Sequence, residues 1–244
     1  MQINVVLPMA GQGSRFANVG YKKPKPFVDV LGLPMIERVL QNLMIPDARY
    51  ILISRKEHLD QEKELVLMLK QKYNVEFVVI DQLTEGAAMT VLHTHRLINS
   101  EVPLLIANSD QIVDMNVNRF IEDMLARKLD GSILTFNDSD PKWSYAKINQ
   151  EGHVDLVREK EVISDHATVG IYLFRHGRDF VEAAIDMIVR NDRVKNEFYV
   201  CPVYNYAIKR NAKVGIFDIK KENMHGTGTP EDLELYLQIL KGKQ

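Results

Sequence analysis

"INVVLPMAGQGSRFANVGYKKPKPFVDVLG" (residues 3–32) sets an apolar strand directly before a glycine turn. Residues 3–7 read as a buried strand. Gly11 and Gly13 then let the chain reverse, and residues 34–44 follow with apolar spacing nearer 3.6 than 2. A strand, a tight turn and an amphipathic helix make the first half of a βαβ unit. The pattern recurs downstream. "YILIS" (50–54), "VEFVVI" (75–80), "PLLIA" (103–107) and "GSILTF" (131–136) read as further buried strands. Residues 58–72, 86–98 and 118–128 carry helical spacing between or beside them. Strands alternating with helices predict right-handed crossovers and an α/β fold whose mostly parallel sheet is covered on both faces.

The rhythm changes after residue 140. "WSYAKIN" and "HVDLVRE" are strand-like and separated by "QEG", a hairpin connection, and "ATVGIYLF" (167–174) is another strand. A helix over about 177–190, a second near 200–210, the strand "KVGIFDI" and a final helix from Pro230 complete the chain. Proline in a first helical turn with Glu231 and Asp232 beside it suits the helix dipole. With no repeat and no long linker, the expected organisation is one domain over 1–244. Residues 1–136 form a nucleotide-side half, and residues 137–244 an acceptor-side half with a small antiparallel insertion and the C-terminal helix.

Composition narrows the function classes. The 244 residues are 45% hydrophobic and 26% charged, ordinary for a globular protein with a large core. Thirty-one Lys and Arg oppose 33 Asp and Glu, a net charge of −2. No global basic field points to nucleic acid or an anionic membrane, so any anion binding must be local. Cys201 is the only cysteine, which excludes an intrachain disulfide and cysteine-rich zinc sites and suits a reducing compartment. No signal-peptide pattern or membrane-length apolar run is present, and a cytoplasmic location is expected. A homo-oligomer stays open.

The glycine turn lies at the carboxyl end of its strand, where open α/β sheets place ligands. Bare N–H groups at Gly11 and Gly13 can face an anion, and Arg15 adds a planar charged fork. A Walker A loop would need Gly-Lys-Ser/Thr, and a dinucleotide fingerprint would need glycine where Phe16 stands. Prolines on both sides of Lys25 stiffen its backbone and lower the cost of presenting its ammonium group. Lys22 and Lys23 read as solvated.

"PMAGQGSRF", the lysine of "KPKPF" ten residues after its arginine, and "VLGLPMIERVL" together resemble the nucleotidyltransferase family that activates sugar phosphates. The resemblance spans essentially the whole chain. Its PMAG opening is similar to a subgroup associated with capsule and cell-surface polysaccharide synthesis. It implies a Rossmann-like sheet of the GT-A type and the Mg²⁺-dependent reaction NTP + R-phosphate → NDP-R + pyrophosphate. By the same resemblance, Met9, Ala10, Gly11, Gly13, Ser14 and Arg15 surround the triphosphate and Lys25 meets the α-phosphate. "DQLTEGAAMTVL" (81–92) falls where the family recognises the base. Gly86 and Ala87 would admit a flat ring, and Gln82 or Thr84 would read its edge. Alternatively, Thr84 caps a helix. A confined small-residue pocket leans towards a pyrimidine.

The family's metal aspartate falls at Asp110 in "PLLIANSDQIV", with Asn108 and Ser109 lining the pocket. An aspartate after a strand can equally be a turn former. For the acceptor, a phosphorylated sugar or small alcohol, the resemblance implies Glu159, Lys160, Ser164 and Gly170. A salt-bridged surface strand is the other reading of that pair. "PKWSYAK" and "NEFYVCPVYN" look like further pocket elements, bringing in Lys147, Glu197 and Tyr199, while Trp143 and Cys201 read as packing residues. One departure stands out: Gly226 in "MHGTGTPEDLELY" occupies the place where many members carry a second metal aspartate. His225 or another acid is then the alternative helper. Two other readings compete. One is a GT-A glycosyltransferase, which would want Asp-x-Asp where Asn108-Ser109-Asp110 stands. The other is a regulatory homologue without catalysis.

Overall fold

The computed structural model describes residues 2–242. β1 (Ile3–Pro8) enters the glycine turn and the short helix α1 (Ser14–Asn18). A ribbon of β2 (Asp29–Val30) and β3 (Leu33–Pro34) leads into α2 (Met35–Asn42), which buries Met35, Ile36, Val39 and Leu40 along one stripe. β4 (Ala48–Arg55) is followed by α3 (Lys56–Gln61), α4 (Lys63–Lys72) and β5 (Val75–Ile80). Next come α5 (Ala87–Leu92), α6 (His95–Ile98), β6 (Leu104–Ala107), β7 (Gln111–Val113) and α7 (Val117–Ala126). The second half holds β8 (Gly131–Asn137), β9 (Ser144–Ile148), β10 (Val154–Glu159) and β11 (His166–Phe174). It closes with α8 (Gly177–Val189), α9 (Val203–Lys209), β12 (Val214–Ile219), β13 (Met224–Gly226) and α10 (Pro230–Gly242).

Nine strands form one mixed sheet in the order β10-β9-β11-β6-β1-β4-β5, with β8 pairing β11 and β12 pairing β8. The β6-β1-β4-β5 half is parallel, β11 and the β9-β10 hairpin run antiparallel to their neighbours, and β12 returns parallel to β8. The continuous apolar strand sequences follow from burial on both faces. Ile3, Val5 and Leu7 enter one core cluster, whereas Val6 enters the other, with Ile51, Ile53, Leu104 and Ile106 beside it. No helix of the described residues is long and apolar enough to cross a membrane.

Strand β11 carries the feature that opens the site. Ala167 near its start pairs with Tyr145 of β9, while Ile171 to Phe174 pair with Ala107 to Leu104 of β6, and β8 follows the opposite edge. The exchange of neighbours happens around Gly170, whose φ is +92°. There the sheet forks, and β6 ends into the gap. This is a switch-point crevice at strand carboxyl ends.

Two expected helices are each divided. The 58–72 stretch breaks at Glu62 (φ −118°, ψ 41°), between α3 and α4. The 86–98 stretch breaks before α6, where the Thr94 hydroxyl and N–H both donate to the Val91 carbonyl, at 2.6 and 2.9 Å. A side-chain hydroxyl competing for a helical acceptor is enough to stop the ladder.

Candidate active site

β1 delivers the glycine loop to the fork. The Met9 N–H donates to the Ile53 carbonyl at 2.9 Å, which ties the loop's start to β4. Buried Phe16, with Tyr21 edge-on at 5.1 Å, anchors its far end. Gly13 adopts φ +63°, and a Cβ there would lie 3.2 Å from Cβ of Lys25. The lysine stem therefore packs against the loop itself. Around Gly11 nothing approaches within 4 Å of a would-be Cβ, so that edge is open to a ligand.

A cleft of about 530 Å³ lies above the loop. Its walls include Met9, Ala10, Gly11, Gly13, Ser14, Arg15, Lys25, Thr84, Gly86, Ala87, Asn108, Ser109, Asp110, Glu197 and Tyr199. All three expected catalytic groups thus meet in one space, 85 residues apart in the case of Lys25 and Asp110. Lys25 Nζ donates directly to Asp110 Oδ2.

Asp110 is held from behind by the C-terminal segment. The N–H and hydroxyl of Thr227, which is fully buried, donate to its carbonyl at 2.8 and 3.0 Å. β13 pairs with β7, placing Gly226 opposite Gln111. A Cβ on Gly228 would come within 2.9 Å of Asp110 Oδ2, so a bare backbone is needed there. Gly170 has a similar role on the next wall: its carbonyl accepts from the Asn108 N–H at 2.9 Å, and a Cβ would strike Asn108 Nδ2 at 2.3 Å.

The 84–88 loop is stitched to the 193–201 segment. Phe198 N–H donates to the Glu85 carbonyl at 2.7 Å, and its carbonyl accepts from the Ala88 N–H at 2.9 Å. Gly86, with φ +117°, would put a Cβ 2.5 Å from both the nitrogen and the oxygen of Phe198. Arg193 pairs with Glu85 at 3.0 Å and lies 4.3 Å over the Phe198 ring. Thr84 is not the helix cap. Gly86 takes that position, and the Thr84 hydroxyl bonds the Gly86 carbonyl at 3.1 Å and the Thr90 hydroxyl at 2.5 Å. Gln82 is exposed outside the cleft, and Leu83 lines it instead.

On the acceptor side, Lys160 Nζ donates to the Tyr199 hydroxyl, stands 4.4 Å over that ring, and is 3.9 Å from Glu159. Its φ of +56° is unusual for a side chain with a Cβ and aims the lysine at the tyrosine. Glu159 is buried and accepts from the Ser144 hydroxyl; burial holds its carboxyl above the usual glutamate range despite that bond and Lys160. Burial likewise pushes the Tyr199 phenol up, helped by Glu197 and opposed by Arg15, whose charge reaches this wall. Of the acceptor expectations Glu197 and Tyr199 line the cleft; Glu159 and Lys160 stand behind Tyr199 and, like Lys147, Ser164 and Gly170, are not among its walls. Lys147 is exposed on β9, Ser164 donates to the Ala146 carbonyl at 2.7 Å, and Gly170 acts through Asn108. Gln111 was not singled out in the sequence. It lines the cleft with a buried Oε1 that has no protein partner among the described residues. Only its position next to Asp110 could have drawn attention to it.

His225 does not reach for a metal: its Nε2 pairs with Asp114 at 3.0 Å, and Tyr236 lies beside it. Among the described residues no group of three or more His, Cys, Asp or Glu is arranged to hold an ion. The donor set still fits Mg²⁺, which is commonly held by one or two carboxylates with substrate phosphates supplying the rest. Asp110 lines the cleft beside the glycine loop, and the missing Cβ of Gly228 leaves its carboxylate uncrowded.

The model for nucleotidyl transferases matches residues 4–232. The chain belongs to the nucleotidyl transferase family. A nucleoside-diphosphate-sugar pyrophosphorylase from Vibrio cholerae RC9 superposes with a TM-score of 0.80 at 21% identity, covering 96% of this chain and 99% of that one. The sheet and its flanking helices are therefore those of solved nucleotidyltransferase structures. Mannose-1-phosphate guanyltransferase of Gibberella zeae is 21% identical over 173 residues, 68% of this chain and 48% of its own. Bifunctional protein GlmU of Wolinella succinogenes is 23% identical across 100% of this chain and 55% of its own. The chain thus spans about half the length of these curated nucleotidyl transferase relatives.

Proposed function

We propose that this nucleotidyl transferase moves a nucleoside monophosphate from an NTP to a sugar 1-phosphate or a similar small phosphorylated alcohol, releasing pyrophosphate. One observation carries the reading: Arg15, Lys25 and Asp110 converge on one cleft with a glycine loop on one side and Lys160 on Tyr199 near the other. An acceptor phosphate oxygen forms a bond to the α-phosphorus while the bond from that phosphorus to the bridging oxygen breaks, and pyrophosphate leaves with the electron pair. Lys25 meets charge growing at the α-phosphate, and the loop N–H groups with Arg15 hold the departing phosphates. Lys160 neutralises the incoming phosphate. Mg²⁺ supplies charge neutralisation and alignment of phosphate oxygens when held by Asp110.

The finer assignments belong to the same proposal. The small-residue loop favours a pyrimidine nucleotide, the setting is cytoplasmic supply for surface polysaccharide, and both halves work as one domain that can pair with itself. The test is a pyrophosphate-release screen of four NTPs against sugar 1-phosphates and phosphocholine-like acceptors. Pyrophosphate appearing with one pair supports the reading. Release of a nucleoside diphosphate from an NDP-sugar instead would overturn it. In that assay Lys25→Ala and Asp110→Ala are expected to lower turnover by about 10²-fold or more, with unchanged circular dichroism. Full activity in either removes it from the site.

A further inference from the structure

Lys25 and Asp110 face each other in the cleft, and both backbones are fixed. Lys25 lies between Pro24 and Pro26 in a tight turn, with the Phe27 N–H bonded to the Pro24 carbonyl at 2.8 Å and its stem packed on Gly13. Asp110 is clamped by the two Thr227 donors. Freedom is left in the two side chains, the longer being the lysine's, whose ammonium sits on Oδ2 beside the Gly228 backbone. The two side chains are 21% and 16% exposed, so water screens the pair only partly. Asp110 is a carboxylate paired with an ammonium, and among the described residues no cluster of three metal-ligating groups adds charge around it.

A divalent ion that sheds water reluctantly gains little from such a pair. An ammonium within a few ångströms also repels it. A triphosphate changes the balance, because it brings several negative charges to the loop against which the lysine stem is packed. From this we infer that Lys25 guards Asp110: the carboxylate stays closed to free metal, and the cation enters only with the nucleotide, when the ammonium swings from Oδ2 to phosphate. Lys25 is then a two-position cation that sets the order of assembly as well as assisting transfer. The inference rests on the reading of Asp110 as the metal carboxylate.

Electron paramagnetic resonance of free Mn²⁺, titrated with the full-length protein without nucleotide, tests it. Wild type and Lys25→Arg are expected to leave Mn²⁺ unbound. Lys25→Met is expected to bind it at least tenfold more tightly, and Lys25→Met/Asp110→Asn to lose that gain. Lys25→Gln repeats the measurement should the methionine variant not fold. Equal Mn²⁺ affinity in wild type and the neutral variants would overturn the guard. A separate arm uses Mn²⁺ with inorganic tripolyphosphate. There Asp110→Asn should weaken ternary binding, and no weakening would remove Asp110 as the metal carboxylate whatever Lys25 does.

Discussion

Glu159 is a carboxylate whose side chain is only 6% exposed, with Ser144 and Lys160 as its company. Burial raises its pKa more than those partners lower it. A carboxyl held above its ordinary range binds its proton more tightly folded than unfolded. The associated stability is therefore full at low pH and lost as pH rises through the raised value. Glu159→Gln removes the charge and keeps the shape. Its melting temperature relative to wild type should climb as pH rises through that window and level off on either side; a difference independent of pH would contradict the burial account. The Glu159-Lys160 pair also shows where reading residues alone stops. Adjacent opposite charges in a strand are the commonest surface pattern, and nothing in "VREKEV" marks one as buried. Lys25 drew attention because the prolines on both sides stiffen its backbone, and the structure places it in the cleft wall. Gln111 drew none, since an unpaired buried oxygen is a property of surroundings assembled from distant segments.

Among the elements, the buried strands were plain in the sequence because two-sided burial leaves uninterrupted apolar runs. β5 falls on "VEFVVI" as expected, and β6 and β8 depart from expectation by one residue each. β7 and β13 were invisible: three-residue strands have no period to detect, yet their pairing is what sets Thr227 behind Asp110. The Gly86 turn was seen as a space for a base. Its second reason for being glycine is the Phe198 backbone pressed against it. Gly86→Ala should therefore cost roughly 1–3 kcal/mol in urea unfolding and weaken NTP binding in calorimetry. An alanine variant as stable as wild type would mean that the 193–201 segment yields easily.

For the molecule as a whole, the α/β class and the strand-helix alternation were readable from periodicity, while the fork at β11 was not. A single strand that trades one neighbour for another depends on pairings of different range at its two ends, Ala107 with Ile171 and Ala167 with Tyr145, which no local pattern encodes. Cys201 sits in the core beneath this fork, 1% exposed, its thiol pushed up by burial and by Glu159. Labelling by an alkylating reagent should track global unfolding and be negligible in the native state. Fast modification under native conditions would show that this part of the sheet opens locally. The stitch between Phe198 and the 85–88 backbone has a further consequence for recombination with relatives. A chimera that inherits its 81–92 segment from one parent and its 193–201 segment from another keeps the two backbone hydrogen bonds only where both backbones still meet, and keeps the Arg193–Glu85 pair only where both side chains are inherited. Crossover points that preserve this contact must carry both segments as one inherited block, although more than a hundred residues separate them along the chain.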